Sequence, residues 1–116
     1  MNVFAIRGTT ILLCHTFRKA TKVATDPVTP GIRIFYYVAG VATDLVSLVA
    51  MTRDSGVTGQ HSYSWTVPST LAPHTTCYVR FTGVAVGTGE VLDKDATVTV
   101  LDVGGFGGGL RTSFVG

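Results

Sequence analysis

Charge is scarce in this chain. Asp, Glu, Lys and Arg make up only 14% of its 116 residues while 46% are hydrophobic, against roughly 25% charged in an average soluble domain. Mean hydropathy is correspondingly positive, at +0.40. So few charges cannot coat a lone sphere: either the chain is poorly soluble alone or, the favoured reading, neighbours cover much of its exterior in the working state. The formal net charge is only +2 and the basic residues are scattered rather than gathered into a stripe, which argues against a nucleic-acid partner. Long apolar runs are missing too: no stretch approaches the ~20 residues of a membrane span, and no membrane partner is expected. The opening MNVFAIRGTTILLCHTF has a short apolar run from Ile11 to Cys14 after polar Thr9 and Thr10, with no small-residue cleavage site, and does not read as a secretory signal. Bulky Leu13 before Cys14 likewise speaks against a lipid anchor. Cys14 and Cys77 are the two cysteines; without an export signal they are expected to be reduced and buried as small hydrophobes rather than bonded.

The residues that catalysis or metal binding would need are thinly spread. His15, His61 and His74 are the histidines, and the first two alternate with apolar residues, as core or boundary histidines do. Asp54, Ser55 and a histidine could be drawn as a triad, yet no nucleophile-elbow pattern surrounds the serine. Cys14 and His15 are adjacent and on a strand point to opposite faces, and neither Cys-x-x-Cys nor His-x-x-x-His spacing occurs. Asp93-Lys94-Asp95 reads as a solvated turn rather than a calcium loop. The glycine run from Gly104 to Gly109 lacks the Lys-Ser/Thr of a phosphate loop. No enzyme, metal or cofactor is expected.

What the chain does have is alternation. In residues 31–38, Ile32, Ile34, Tyr36 and Val38 share one face, and Arg33, Phe35 and Tyr37 the other. His61, Tyr63, Trp65 and Val67 alternate with Ser62, Ser64 and Thr66. Cys77, Val79 and Phe81 oppose Tyr78, Arg80 and Thr82, and Val98 with Val100 oppose Thr97 and Thr99. Residues 11–19 and 44–52 also read as strands, the second irregular enough to imply a bulge or an edge. Turn chemistry separates them, at Asp26-Pro27 to Pro30-Gly31, Ala39-Gly40, Asp54 to Gly59, Pro68 to Pro73 and Gly87 to Gly89. With no convincing helical period, one all-β domain follows, an immunoglobulin-like antiparallel β-sandwich, with a small barrel as the alternative. The expected core is Phe17, Ile32, Ile34, Tyr36, Tyr63, Trp65, Val79, Phe81, Val98 and Val100. The expected division is an N-terminal arm (1–8), a sandwich (9–102) and a glycine-rich tail (103–116).

The order of short motifs resembles a known family. Val23-Ala24-Thr25-Asp26-Pro27, Thr52-Arg53-Asp54-Ser55, the run from Gly59 to Pro68, Tyr78-Val79-Arg80-Phe81 and Gly89-Glu90 look like the small immunoglobulin-like virion proteins of tailed bacteriophages. Those proteins commonly carry a "DP" turn, a "DS-G-Y-W" hairpin and a "Y-V-R" strand. The likeness covers about residues 11–102. It implies a non-catalytic building block of the capsid exterior, neck or tail, made in the host cytoplasm, present in many copies and partnered by other virion proteins. An alternative function is a tail or host-surface module that recognises a receptor or glycan. Two departures stand out: Pro73-His74-Thr75 replaces a Pro-Gly turn, and Phe35 and Tyr37 occupy positions where charged residues are usual.

The second departure and the tail hold the expected contact residues. Arg33, Phe35 and Tyr37 form an aromatic and arginine face of the kind enriched at interface centres, the alternative being a face covered by the domain's own loops. In the tail, Phe106, Leu110 and Phe114 are spaced as apolar anchors for a neighbouring surface and Arg111 can reach a carboxylate, while the glycines permit close backbone approach; the alternative is a tail folded back on its own domain.

Overall fold

The computed structural model describes residues 2–101 and 113–115, as strands and turns without a helix. The strands are β1 (Asn2–Ile6), β2 (Thr10–Thr16), β3 (Val28–Val38), β4 (Val41–Ala50), β5 (Thr52–Arg53), β6 (Gln60–Thr66), β7 (Thr76–Val84), β8 (Lys94–Leu101) and β9 (Ser113–Val115). They form a five-stranded sheet in the order β1-β8-β7-β3-β4 and a four-stranded sheet in the order β5-β6-β2-β9. The two sheets share one core in a sandwich-like arrangement. Ile11, Leu13 and Trp65 from one sheet pack with Ile32, Ile34, Val79, Phe81, Val98 and Val100 from the other, with Phe17 between strands. Period 2 explains this directly: Cys77, Val79 and Phe81 are buried while Thr76, Tyr78 and Arg80 on the same strand are exposed. Tyr36 and Tyr63, expected in the core, are only partly buried and pack against its margin. Both have a hydroxyl that burial without a partner would penalise.

Three expectations need correction. Residues 1–8 are not an arm outside the body, because β1 pairs in parallel with β8, Val3 opposite Val98 and Ala5 opposite Val100. Val3 and Ala5 are buried in the core, so a five-residue alternation closes one edge of the sheet. Nor does the tail lie wholly apart: β9 pairs in parallel with β2, Ser113 opposite Leu12 and Val115 opposite Cys14. Both sheets are therefore mixed rather than purely antiparallel. The remaining junctions follow local chemistry. Ala39 and Gly40, both with positive φ (49° and 80°), make the two-residue turn between β3 and β4 that matches strand twist. The irregular segment is β4, which ends one side of the five-stranded sheet and carries register shifts opposite β3 near Ile34.

One tight junction ties both sheets' loops together. The Gly59 amide donates to Asp26 Oδ1 at 2.7 Å, and Asp26 Oδ2 pairs with Arg53 at 3.1 Å. The Gly59 carbonyl accepts from the Phe17 amide at 2.9 Å. Those contacts hold the Asp26 carboxyl below its ordinary carboxylate value, the Arg53 hydrogen bond contributing most and the Gly59 amide next.

Candidate protein interface

The five-stranded sheet turns one face to the core and leaves the other without a covering layer among the described residues. On that outer face β3 supplies Arg33, Phe35 and Tyr37, as their parity requires. The neighbouring β7 runs antiparallel with Phe35 opposite Tyr78 and Arg33 opposite Arg80. That register, not the sequence around residue 35, builds the cluster.

Phe35 is its floor. Its ring stacks on Tyr78 with centroids 5.6 Å apart and 23° between planes, and meets the edge of Tyr37 at 5.9 Å and 83°. The Arg33 guanidinium lies 4.3 Å over the Phe35 centroid, a cation–π contact. These neighbours leave Phe35 only 7% exposed, whereas Tyr37 is 54% and Tyr78 37% exposed. Phe35 thus lies beneath the exposed rings rather than being exposed itself. Tyr37 and Tyr78 cross at 75° with centroids 5.5 Å apart, forming a corner. An ion pair brackets it on each side. Arg33 reaches Asp44 on β4 at 2.7 Å, and Arg80 binds Asp95 on β8 through two contacts of 2.9 and 3.4 Å. The planar guanidinium forks are held in place by these carboxylates. Between Tyr37, Tyr78, Arg80, Asp95 and Thr97 runs an open groove of about 490 Å³.

Tyr78, Arg80 and Asp95 complete the surface although none was singled out as a contact residue from sequence. Their signal was present as the outward parity of β7 and β8, but only the β3–β7 pairing places them beside Phe35. Phe106, Leu110 and Arg111 lie outside the described residues; Phe114 sits on β9, with its backbone opposite Leu13.

The other chemistry-bearing residues have structural placements. His15 and His61 are buried opposite one another across β2 and β6. His15 stacks on Phe81 at 4.6 Å, and His61 meets the edge of Phe17 at 5.5 Å. Asp54, the acid of the paper triad, accepts from Gln60 Nε2 at 2.9 Å and from Ser62 Oγ at 2.8 Å, which pins the β5–β6 turn. Among the described residues no group of three His, Cys, Asp or Glu side chains is placed to hold a metal ion. Cys14 and Cys77 are free and buried. Cys77 points into the core from the five-stranded sheet, and burial pushes its thiol up to about 11. Cys14 is raised by burial and, secondarily, by the Asp54 carboxylate. No protein-family model, curated protein or solved structure matches this chain.

Proposed function

We propose that this chain is an immunoglobulin-like, non-enzymatic structural subunit of a tailed-phage virion, decorating or cementing the capsid or the head–tail neck through protein–protein contacts. The observation that carries the reading is the Tyr37–Tyr78 corner, solvent-facing on the five-stranded sheet, resting on Phe35 and flanked by Arg33–Asp44 and Arg80–Asp95. Tyrosines have few rotatable bonds to immobilise when covered, and tyrosine and arginine are among the residues that carry most of the energy at protein interfaces. A chain with 14% charged residues and this exposed face is suited to being covered.

The immunoglobulin-like part of the reading draws on strand order. Taking β2 to β8 as strands B, C, C′, D, E, F and G gives the orders D-E-B and G-F-C-C′. The motif order from Asp26-Pro27 to Tyr78-Val79-Arg80 supports the virion part. The test is incorporation: Tyr37→Ser with Tyr78→Ser should leave the chain cooperatively folded, at a cost of about 1–3 kcal/mol in urea melts from uncovering Phe35, yet reduce the copies found in purified particles at least ~10-fold. Undiminished incorporation of the double variant refutes the role of this face.

A second reading, recognition of a host-surface glycan, rests on the same corner, since Tyr37 and Tyr78 offer ring faces beside the polar Arg80–Asp95 pair. Trp65 offers no such platform, because it is buried at 4% exposure. Binding of the wild-type chain to a glycan array, abolished by the same double variant while incorporation persists, would favour it.

A further inference from the structure

A second depression lies on the same outer face, at the end where β3 begins and β4 and β7 finish. It is an apolar groove of about 570 Å³ between Leu48, Val49, Val84 and Val91, and Asp93 is the one charged side chain lining it among the described residues. Leu48 and Val91 are 64% and 67% exposed, unusual values for aliphatic side chains side by side. Gly31 permits this arrangement: a Cβ there would stand 2.9 Å from Leu48 Cδ1 and 3.1 Å from Thr82 Oγ1.

The described residues that flank the glycine-rich segment 102–112 lie at the opposite end. β8 closes at Leu101, whose carbonyl accepts from the Arg7 amide at 3.1 Å, and Ser113 begins β9 opposite Leu12, near the start of β2. Leu101 and Ser113, the two ends to which residues 102–112 are joined, thus lie toward one end of the sandwich, and the groove opens at the other. The eight residues of β8 separate Asp93 from Leu101, about 26 Å at ~3.3 Å per residue. Phe106 follows Leu101 by five residues and reaches at most ~18 Å. It cannot fill the groove of its own chain.

We propose that this groove takes the 102–112 segment of a second copy, with Phe106 and Leu110 in the apolar trough and Arg111 paired with Asp93. The inference rests on the multi-copy structural role above and names one of its partners. Three features match. Two apolar anchors meet an apolar trough, one cation meets its single lining carboxylate, and the glycines from Gly104 to Gly109 let the backbone lie close to the walls. Because the residues that flank the donor segment and the acceptor groove lie at opposite ends, the contact is head-to-tail and propagates into a ring or a filament. β9 stays on its own β2 throughout.

The test is sedimentation equilibrium of the full chain over a wide concentration range. Wild type should self-associate reversibly; Asp93→Arg and Arg111→Asp should each weaken association ~10-fold or more, and the double reversal should restore it to within ~3-fold. Val91→Asp, at an exposed position, should weaken it by a similar factor without changing the unfolding midpoint. A wild-type chain that stays monomeric, or single reversals without effect, or a double variant no better than the singles, overturns the proposal. A monomeric chain that still enters particles through the Tyr37–Tyr78 face overturns this inference and leaves the structural role standing.

Discussion

Gly59→Ala is the sharpest test of how the fold is fastened. Gly59 has a φ of +83°, where an L side chain is strained, and a Cβ there would lie 2.9 Å from both the Phe17 and Thr25 carbonyl oxygens and 3.0 Å from the Thr25 amide. All three are backbone atoms, so relief requires moving a strand end rather than rotating a side chain. The conformational part costs about 1–2 kcal/mol, and the forced displacement about 1–3 kcal/mol more. It also stretches the Gly59–Asp26 hydrogen bond. Gly56 supplies the control, because its φ is also +83° but nothing lies within 4 Å of its Cβ position. Gly56→Ala should therefore show the conformational cost alone. In urea melts, with a slope of ~1.5 kcal/mol/M, Gly59→Ala should lower the midpoint by about 2 M and Gly56→Ala by about 1 M or less. Equal losses in the two variants would refute the close-approach reasoning.

Three further outcomes are expected. Trp65→Ala should cost roughly 3–5 kcal/mol through cavity formation; a loss below about 1 kcal/mol in urea melts would contradict the burial of that ring. Cys77, pushed up to about 11 by burial, should be thiolate in only on the order of 10⁻⁴ of folded molecules at pH 7. Thiol-reagent labelling should then track unfolding, and rapid labelling of native protein would count against its placement. Asp26, held below its ordinary value chiefly by Arg53, contributes stability that is fully present above the usual carboxylate pKa and is lost as pH falls through the lowered one. Asp26→Asn should flatten the acid limb of the stability profile, and an unchanged limb would show that this carboxylate is not a source of acid sensitivity.

The strands that alternate over seven or more residues were legible because one face of each is buried and the other is wet. β6 and β7 are such cases, and the outward placement of Arg33, Phe35 and Tyr37 follows from the same period. The turn at Ala39-Gly40 and the irregular edge strand β4 were legible from local chemistry as well. Non-local pairing was not. Nothing around Asn2–Ile6 announces a parallel partner almost a hundred residues away, and β9 follows a glycine-rich stretch whose composition favours no strand. The candidate site divides in the same way. Its β3 half could be read from one strand, but Tyr78, Arg80 and Asp95 join it only through the β3–β7 and β7–β8 registers. The burial of Phe35 under Tyr78 is a consequence of that pairing, which no reading of residues 31–38 alone contains.

In the proposed role this chain is a stoichiometric part of a particle rather than a free protein. Quantitative mass spectrometry of particles purified from a lysate in which the chain is expressed measures that directly. The account predicts many copies per particle at a fixed, symmetry-related ratio to the principal shell or tail subunit; abundance in the lysate with none in the particles would contradict it.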